Sequence, residues 1–203
     1  MGELLAVGCA LVWSFSVIMF KASGDTIHPA ALNLYKNTVA FVALVPTLYF
    51  AEGVWHVETT YRQLSILAIS GFIGIGIADA FVLKALYLMG ASRLAIAECL
   101  YSPFVVAISC LFLGESFTGA RILGMLLILG AIVTVTYHRS AEAPPRSHLI
   151  RGTLLAAAAF LLMAIGIVMV KPMFAELSLL WIVEVRLGAS IIASAVTIAV
   201  LNR

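Results

Sequence analysis

The chain has 203 residues, of which 63% are hydrophobic and 11% charged, and its mean hydropathy is +1.12. About a quarter of the residues of a soluble domain are charged, so this composition excludes an ordinary soluble domain and predicts a polytopic membrane protein. The net charge of +2, without a basic cluster interleaved with aromatic residues, gives no indication of nucleic-acid binding. The three cysteines lie in apolar runs and form no CxxC pair, so we interpret them as small hydrophobic residues.

Apolar segments long enough to cross a bilayer follow one another along the whole chain. A membrane-spanning helix needs roughly 20 mainly apolar residues, and seven such segments lie at about 4–21, 29–51, 65–88, 94–113, 119–138, 151–171 and 178–201. The stretch 139–150, with Pro144-Pro145 and charges of both signs, is typical of a linker. We therefore expect an all-α membrane protein in three parts, namely 1–138, 139–150 and 151–203.

Residues 2–21 recur in outline at 152–171. At a constant offset of 150 residues, seven of the twenty positions are identical, namely Gly2, Leu4, Leu5, Ala6, Leu11, Met19 and Lys21. The same offset matches Lys36 with Arg186, a basic residue inside an apolar segment in both copies. The repeat unit is thus five helices, and because five is odd, the second copy should be inverted in the membrane. We expect a chain that continues beyond these two helices of the second copy; a complete seven-helix protein is the alternative.

Several segments resemble, in order and spacing, the EamA domain of the drug/metabolite transporter superfamily. They are GELLAVGCALVWS at the start, HPAALNLYKNTVA at 28–40, ADAFVLKALYLMGAS at 78–92, ECLYSPFVV at 98–106, FLGES at 112–116 and GMLLILGAIV at 124–133. The resemblance covers the first 138 residues as one repeat and 151–203 as the opening of a second. It implies two five-helix repeats with a substrate path between them, and transport, often export, of small metabolites or amphipathic compounds.

The orientation of the chain in the membrane stays open. Three basic residues lie at the loops and helix ends on the N-terminal side, and seven lie on the other side, namely Lys21, Lys84, Arg93, Arg139, Arg146, Arg151 and Arg203. The positive-inside rule then places the N-terminus outside. The family resemblance instead implies a cytoplasmic N-terminus.

Charged side chains inside the apolar segments are the first candidates for a substrate pathway, because a charge at a helix centre costs roughly 2.5–3.5 kcal/mol on insertion scales. Asp79 lies deepest in its span. Its carboxyl could be a protonatable group or substrate partner in a polar cavity. Alternatively, it is a structural group paired with Lys36 or Arg186. Matched cations at Lys36 and Arg186 would attract an anionic or zwitterionic substrate, although Lys36 could also snorkel. Lys84 lies about 140° around the helix from Asp79 and near the helix end, where it can snorkel.

The fourth predicted helix carries a polar stripe. Glu98 and Ser102 share a face at i, i+4, and Tyr101 lies close to them. Pro103 frees the backbone carbonyl of Cys99 one turn earlier. Both a kinked cavity wall and a plain structural kink are consistent with this pattern.

Other positions in the spans indicate packing. A row of small residues recurs every four positions on the third predicted helix and would let another helix approach closely, namely Ser70, Gly74 and Ala78. Trp13, late in the first helix, either lines the substrate path or fills space in the bundle.

We expect a secondary transporter of the plasma or inner membrane that works by alternating access. Its partners would be the lipid bilayer and a small-molecule substrate, with no nucleic acid, no cofactor and no metal, and a homodimer is compatible with this expectation. A Walker A motif is absent, so coupling would run through protons or another gradient, with Asp79 or Glu98 as carriers.

Three other classes of protein are alternatives to a transporter. HExxH and GxSxG motifs are absent and the histidines are not clustered, so we do not expect an enzyme. The last helix lacks the lysine that a retinal protein needs, which argues against a seven-helix receptor of that kind. A membrane protein without transport activity of its own, as a fragment or scaffold, is the remaining alternative.

Overall fold

The computed structural model describes residues 2–24, 26–53, 57–114, 118–137 and 144–201, and no strand occurs among them. The α-helices in these ranges are α1 (Gly2–Ser23), α2 (Pro29–Glu52), α3 (Tyr61–Gly71), α4 (Ala78–Met89), α5 (Ala91–Glu98), α6 (Tyr101–Leu113), α7 (Gly119–Tyr137), α8 (Arg146–Val170) and α9 (Leu179–Leu201). A π-helical segment, Phe72–Ile77, joins α3 directly to α4. A 3₁₀ turn, Lys171–Ala175, follows α8.

Six helical segments of the described part are long and apolar enough to cross a membrane, namely Gly2–Ser23, Pro29–Glu52, Tyr61–Met89, Ala91–Leu113, Arg146–Ala175 and Leu179–Val200. They coincide with six predicted spans, and the all-α polytopic class is confirmed. The remaining predicted span, 119–138, is occupied by α7, although several side chains of that helix lie outside the description. Residue 138, the end of that predicted span, and part of the predicted linker, 139–143, also lie outside it.

Local sequence signals account for where several helices begin and end. Pro29 is in the first turn of α2, and the ring nitrogen Nδ1 of His28 accepts a hydrogen bond from the backbone N–H of Ala30 at 3.3 Å. Gly53 ends α2 in the left-handed region, with φ of 72°, which glycine adopts without strain. α8 begins at Arg146, five residues before the predicted start at 151, because Pro145 can precede a helix but cannot sit inside one without breaking it.

The third span, formed by α3, the π-helical segment and α4, is the centre of the bundle. It packs against α2, α8 and α9, and its end contacts α1. α8 runs antiparallel to it, since Gly152 lies against Met89 and Gly166 lies against Gly74. α8 also contributes to three of the apolar clusters that hold the described helices together, whereas α1 has no buried residue.

Glycine allows the helices to approach closely at the π-helical segment. A methyl group added to Gly71 would lie 2.3 Å from the carbonyl oxygen of Arg186, and one added to Gly76 would lie 2.3 Å from the side chain of Ala193. A methyl group on Gly74 would lie 3.3 Å from Cα of Gly166. In the row of small residues predicted to pack, Ser70 and Ala78 are fully buried and Gly74 faces α8.

The π-helical segment has a hydrogen-bond donor inserted from another helix. A π-helical turn replaces the usual i→i+4 bonds with wider ones, and every backbone polar group in hydrocarbon must find a partner within the protein. Asn33 of α2 supplies such a partner, because its Nδ2 donates to the backbone carbonyl of Gly76 at 2.8 Å. The irregular turn therefore depends on a side chain that is distant in sequence.

Gly71→Ala should lower the free energy of unfolding by about 1–3 kcal/mol, because the added methyl group must displace the backbone of α9. Thermal unfolding in detergent, followed by tryptophan fluorescence, measures the effect. Gly8→Ala in α1 is the matched control, since nothing lies within 4 Å of its added methyl group. Equal melting temperatures for both variants would contradict the close crossing of α3 and α9.

Asn33→Leu should destabilise the protein by about 1–3 kcal/mol, because the volume is kept while the donor to Gly76 is lost. The same unfolding assay applies. Thr38→Val is the control, since the Thr38 hydroxyl is on the exposed side of α2 and donates to Leu34 of its own helix at 2.8 Å. A loss no larger than that of the control would show that the π-helical segment does not need this donor.

Candidate functional site

An ion pair inside the membrane-spanning region connects α2 to α4. Nζ of Lys36 lies 2.5 Å from Oδ2 of Asp79, and both side chains are largely shielded from solvent. Asp79 is in the first turn of α4, directly after the π-helical segment. Lys36 was one of the two partners expected for this carboxylate, and the structure pairs them.

A chain of hydrogen bonds continues from this ion pair through α2 to α9. Nζ of Lys36 donates to Oδ1 of Asn37 at 2.7 Å, and Nδ2 of Asn37 donates to Oδ1 of Asn33 at 3.2 Å. Nδ2 of Asn33 then donates to the hydroxyl of Ser194 at 3.1 Å, in addition to the carbonyl of Gly76. We call Lys36, Asp79, Asn37, Asn33 and Ser194 the polar network.

Arg186 of α9 is a second cation close to Asp79. Its side chain is buried and lies near the carboxylate of Asp79 and the phenol of Tyr101. A methyl group on either Gly74 or Gly166 would lie 3.5 Å from its Nη2, so these glycines leave space for the guanidinium group. Within the described residues, Nε of Arg186 has no hydrogen-bond partner. The structure thus gathers four of the predicted pathway residues, Lys36, Asp79, Tyr101 and Arg186.

Trp13 and Glu98 form a separate contact. Nε1 of Trp13 donates to Oε2 of Glu98 at 3.1 Å, joining α1 to the last residue of α5 at an exposed position. The fourth span is interrupted directly after Glu98, at Cys99 and Leu100, and resumes as α6 at Tyr101. The interruption lies one turn before Pro103, where the freed carbonyl was predicted.

Lys84 lies apart from the polar network. Its side chain is exposed and lines a cleft between α4 and α8, together with His148 and Arg151. The separation follows from the angle of about 140° between positions 79 and 84 on a helix, since Asp79 faces α2. The structure therefore does not bring this predicted pathway residue to the others.

Several polar residues that the structure places at the site were not among the predicted pathway residues. Asn33 and Asn37 flank Lys36 on one face of α2, and Ser190 and Ser194 share a face of α9. The spacings i, i+3 and i+4 of polar residues in apolar helices are a signal that could have found them. The repeat offset could not, because it pairs these positions with apolar residues.

Glu184 is another buried group that was not among the predicted pathway residues. Its repeat counterpart, Leu34, is apolar, so symmetry gave it no role. In the structure it is 5% exposed, and neither carboxyl oxygen has a hydrogen-bond partner within the described part of the chain. Such a carboxyl is costly in its charged form, which makes it a candidate for binding a proton or a substrate amine.

The charges of the arrangement favour an acidic group over a basic one. Two cations, Lys36 and Arg186, act on one carboxylate, Asp79, so the cluster has an excess of positive charge. The guanidinium group of Arg186 would attract a carboxylate or phosphate, whereas the buried amides of Asn33 and Asn37 are already paired within the polar network and with Gly76. No group of three or more His, Cys, Asp or Glu that could hold a metal occurs among the residues searched, which are those that the structure describes.

Comparisons with known proteins agree with a transporter. A curated relative, an uncharacterized transporter of Bacillus subtilis called YvbV, is 28% identical over 144 residues. The matched region covers 70% of this chain and 46% of the relative, so the similarity spans about half the relative's length. No solved structure matches the chain. The EamA-like transporter family matches residues 1–137, well over half of the 203 residues, and the chain belongs to this family.

Proposed function

We propose that this protein is a secondary transporter that exports small metabolites or amphipathic compounds across the plasma or inner membrane by alternating access. Membership of the EamA-like transporter family and the six apolar helices support a multi-pass transporter. The observation that carries the proposal further is the cluster of Lys36, Asp79 and Arg186 inside the spans, because charges in hydrocarbon are rare and are commonly functional.

The cluster suggests how a substrate would be bound. An incoming acidic group would compete with Asp79 for Lys36 and would be attracted by Arg186 at the same time. Because Asp79 directly follows the π-helical segment, a change in this ion pair would act on the irregular turn of the third span. Single π-helical turns often lie at functional sites, and this one would let α4 move relative to α3.

Proton coupling would require a carboxyl that is neutral in one state and charged in the other. Protonation of Asp79 would break its ion pair with Lys36. Protonation of Glu98 would weaken the hydrogen bond that it accepts from Trp13. Glu184 is a third candidate, because it has no partner to stabilise its charged form within the described residues.

Inverted membrane vesicles containing the chain should accumulate at least one member of a panel of radiolabelled amino acids, dicarboxylates and lipophilic cations above empty-vector vesicles. Asp79→Asn should reduce the initial rate at least about tenfold, an effect of about 1.4 kcal/mol. Glu3→Gln, which removes an exposed carboxylate from the first turn of α1, should not. If no member of the panel accumulates while the chain is stably inserted, export by this chain is contradicted.

A double-mutant cycle separates a structural from a transport role of the ion pair. Lys36→Gln alone should lower the free energy of unfolding by about 3 kcal/mol, because Asp79 is left with one partner less in a low-dielectric environment. Lys36→Gln combined with Asp79→Asn should recover most of that stability, since neither charge remains. The initial rate of transport should stay at least about tenfold below that of the wild type in the double variant. A double variant that transports at the wild-type rate would leave the pair with a structural role alone.

The alternative function is a membrane protein without transport activity of its own. The observation that favours it is that the matched region covers 46% of the curated relative. The vesicle assay distinguishes the two, because this alternative predicts a stably inserted wild-type chain that accumulates none of the panel. Restored accumulation on co-expression with a second membrane protein would identify the chain as one part of a transport assembly.

A further inference from the structure

One cleft of the structure, outside the polar network, combines basic and apolar side chains. It has a volume of about 510 Å³, lies between α4 and α8, and is lined by Lys84, Leu88, His148, Arg151, Leu154 and Leu155. Two of these residues are cations, one is a histidine, three are leucines, and none is a carboxylate. We propose that this cleft binds an anionic phospholipid, with its phosphate between the basic side chains and an acyl chain along the leucines.

The depth of the basic residues fits a lipid headgroup. Arg151 is the sixth residue of α8, and Lys84 is five residues before the end of α4. At 1.5 Å per residue, each Cα lies about 7.5 Å inside its helix end. Because Gly152 packs against Met89, the beginning of α8 and the end of α4 lie at the same end of the bundle. Both cations therefore lie near the boundary between headgroups and hydrocarbon.

The basic groups of the cleft are not neutralised by the protein. The side chains of Lys84, His148 and Arg151 form no hydrogen bond or ion pair within the part of the chain that is described. Two other cations at this end are engaged, because Nζ of Lys21 donates to the carbonyl of Tyr87 at 3.2 Å and Arg93 donates to the carbonyl of Met89 at 3.5 Å. Repulsion between the unpaired cations Lys84 and Arg151 favours the binding of an anion between them.

The apolar part of the cleft indicates a lipid as the source of that anion. The side chain of Leu154 is 66% exposed, on the outer side of a helix that spans the membrane. Leu154 and Leu155 lie three and four residues deeper in α8 than Arg151. A cleft that places cations at the interface and leucines below them complements a phosphate attached to an acyl chain, as expected for basic pockets between membrane helices.

The lipid is tested by native mass spectrometry of the purified chain titrated with phosphatidylglycerol or phosphatidylcholine. The wild-type chain should retain phosphatidylglycerol at lower lipid concentrations than phosphatidylcholine. Arg151→Gln should raise the apparent Kd for phosphatidylglycerol about fivefold, and Lys84→Gln with Arg151→Gln about 25-fold. Equal retention of both lipids by the wild-type chain would overturn the proposal.

Arg62→Gln is the matched control, because Arg62 borders a different cleft, at the other end of the third span, and its removal changes the net charge equally. It should change the Kd by less than about twofold, whereas an effect as large as that of Arg151→Gln would reveal unspecific attraction and refute the site. Lys84→Arg with Arg151→Lys keeps both charges and should retain the lipid, which guards against a folding defect. Displacement of the lipid by millimolar inorganic phosphate would instead indicate a small-anion site and overturn the lipid assignment.

Discussion

The ion pair between Lys36 and Asp79 is the interaction on which the arrangement of the central helices depends. Neither charge is stable alone in hydrocarbon, so α2 and α4 must face each other at these two positions. The hydrogen bonds that continue from Lys36 through Asn37 and Asn33 reach the carbonyl of Gly76 and the hydroxyl of Ser194. One polar network thereby joins α2, the π-helical segment and α9, and leaves its buried amide groups with partners.

Close helix crossings determine where the second cation lies. Gly71 and Gly76 let α9 approach the third span, and Gly74 and Gly166 let α8 approach it on another face. The guanidinium group of Arg186 occupies the space beside this glycine pair, near enough to Asp79 for their charges to interact. The same span presents Lys84 on its outer face. A single helix thus separates the charged cluster within the bundle from the basic cleft between α4 and α8.

The number and approximate limits of the spans could be predicted, because membrane insertion depends on the length and apolarity of single segments. The pairing of Asp79 with a cation could also be predicted from the sequence, because an unpaired carboxylate inside the membrane is costly. The π-helical segment was not, because FIGIGI reads as ordinary apolar helix and the donor from Asn33 lies 43 residues away. The early start of α8 could have been predicted, because Pro144-Pro145 directly precedes it. The polar composition of 146–150 favoured a linker instead.

Helix length, class and the presence of buried charges depend on local composition, and these properties can be derived from the order of residues alone. Which charges meet depends on the rotation and depth of each helix relative to its neighbours. An α-helix completes one turn every 3.6 residues. A shift of one position in the predicted register therefore turns a side chain by about 100° and changes its partner. The choice of Lys36 for Asp79, the position of Arg186 beside two glycines and the exclusion of Lys84 follow from helix packing across the whole chain.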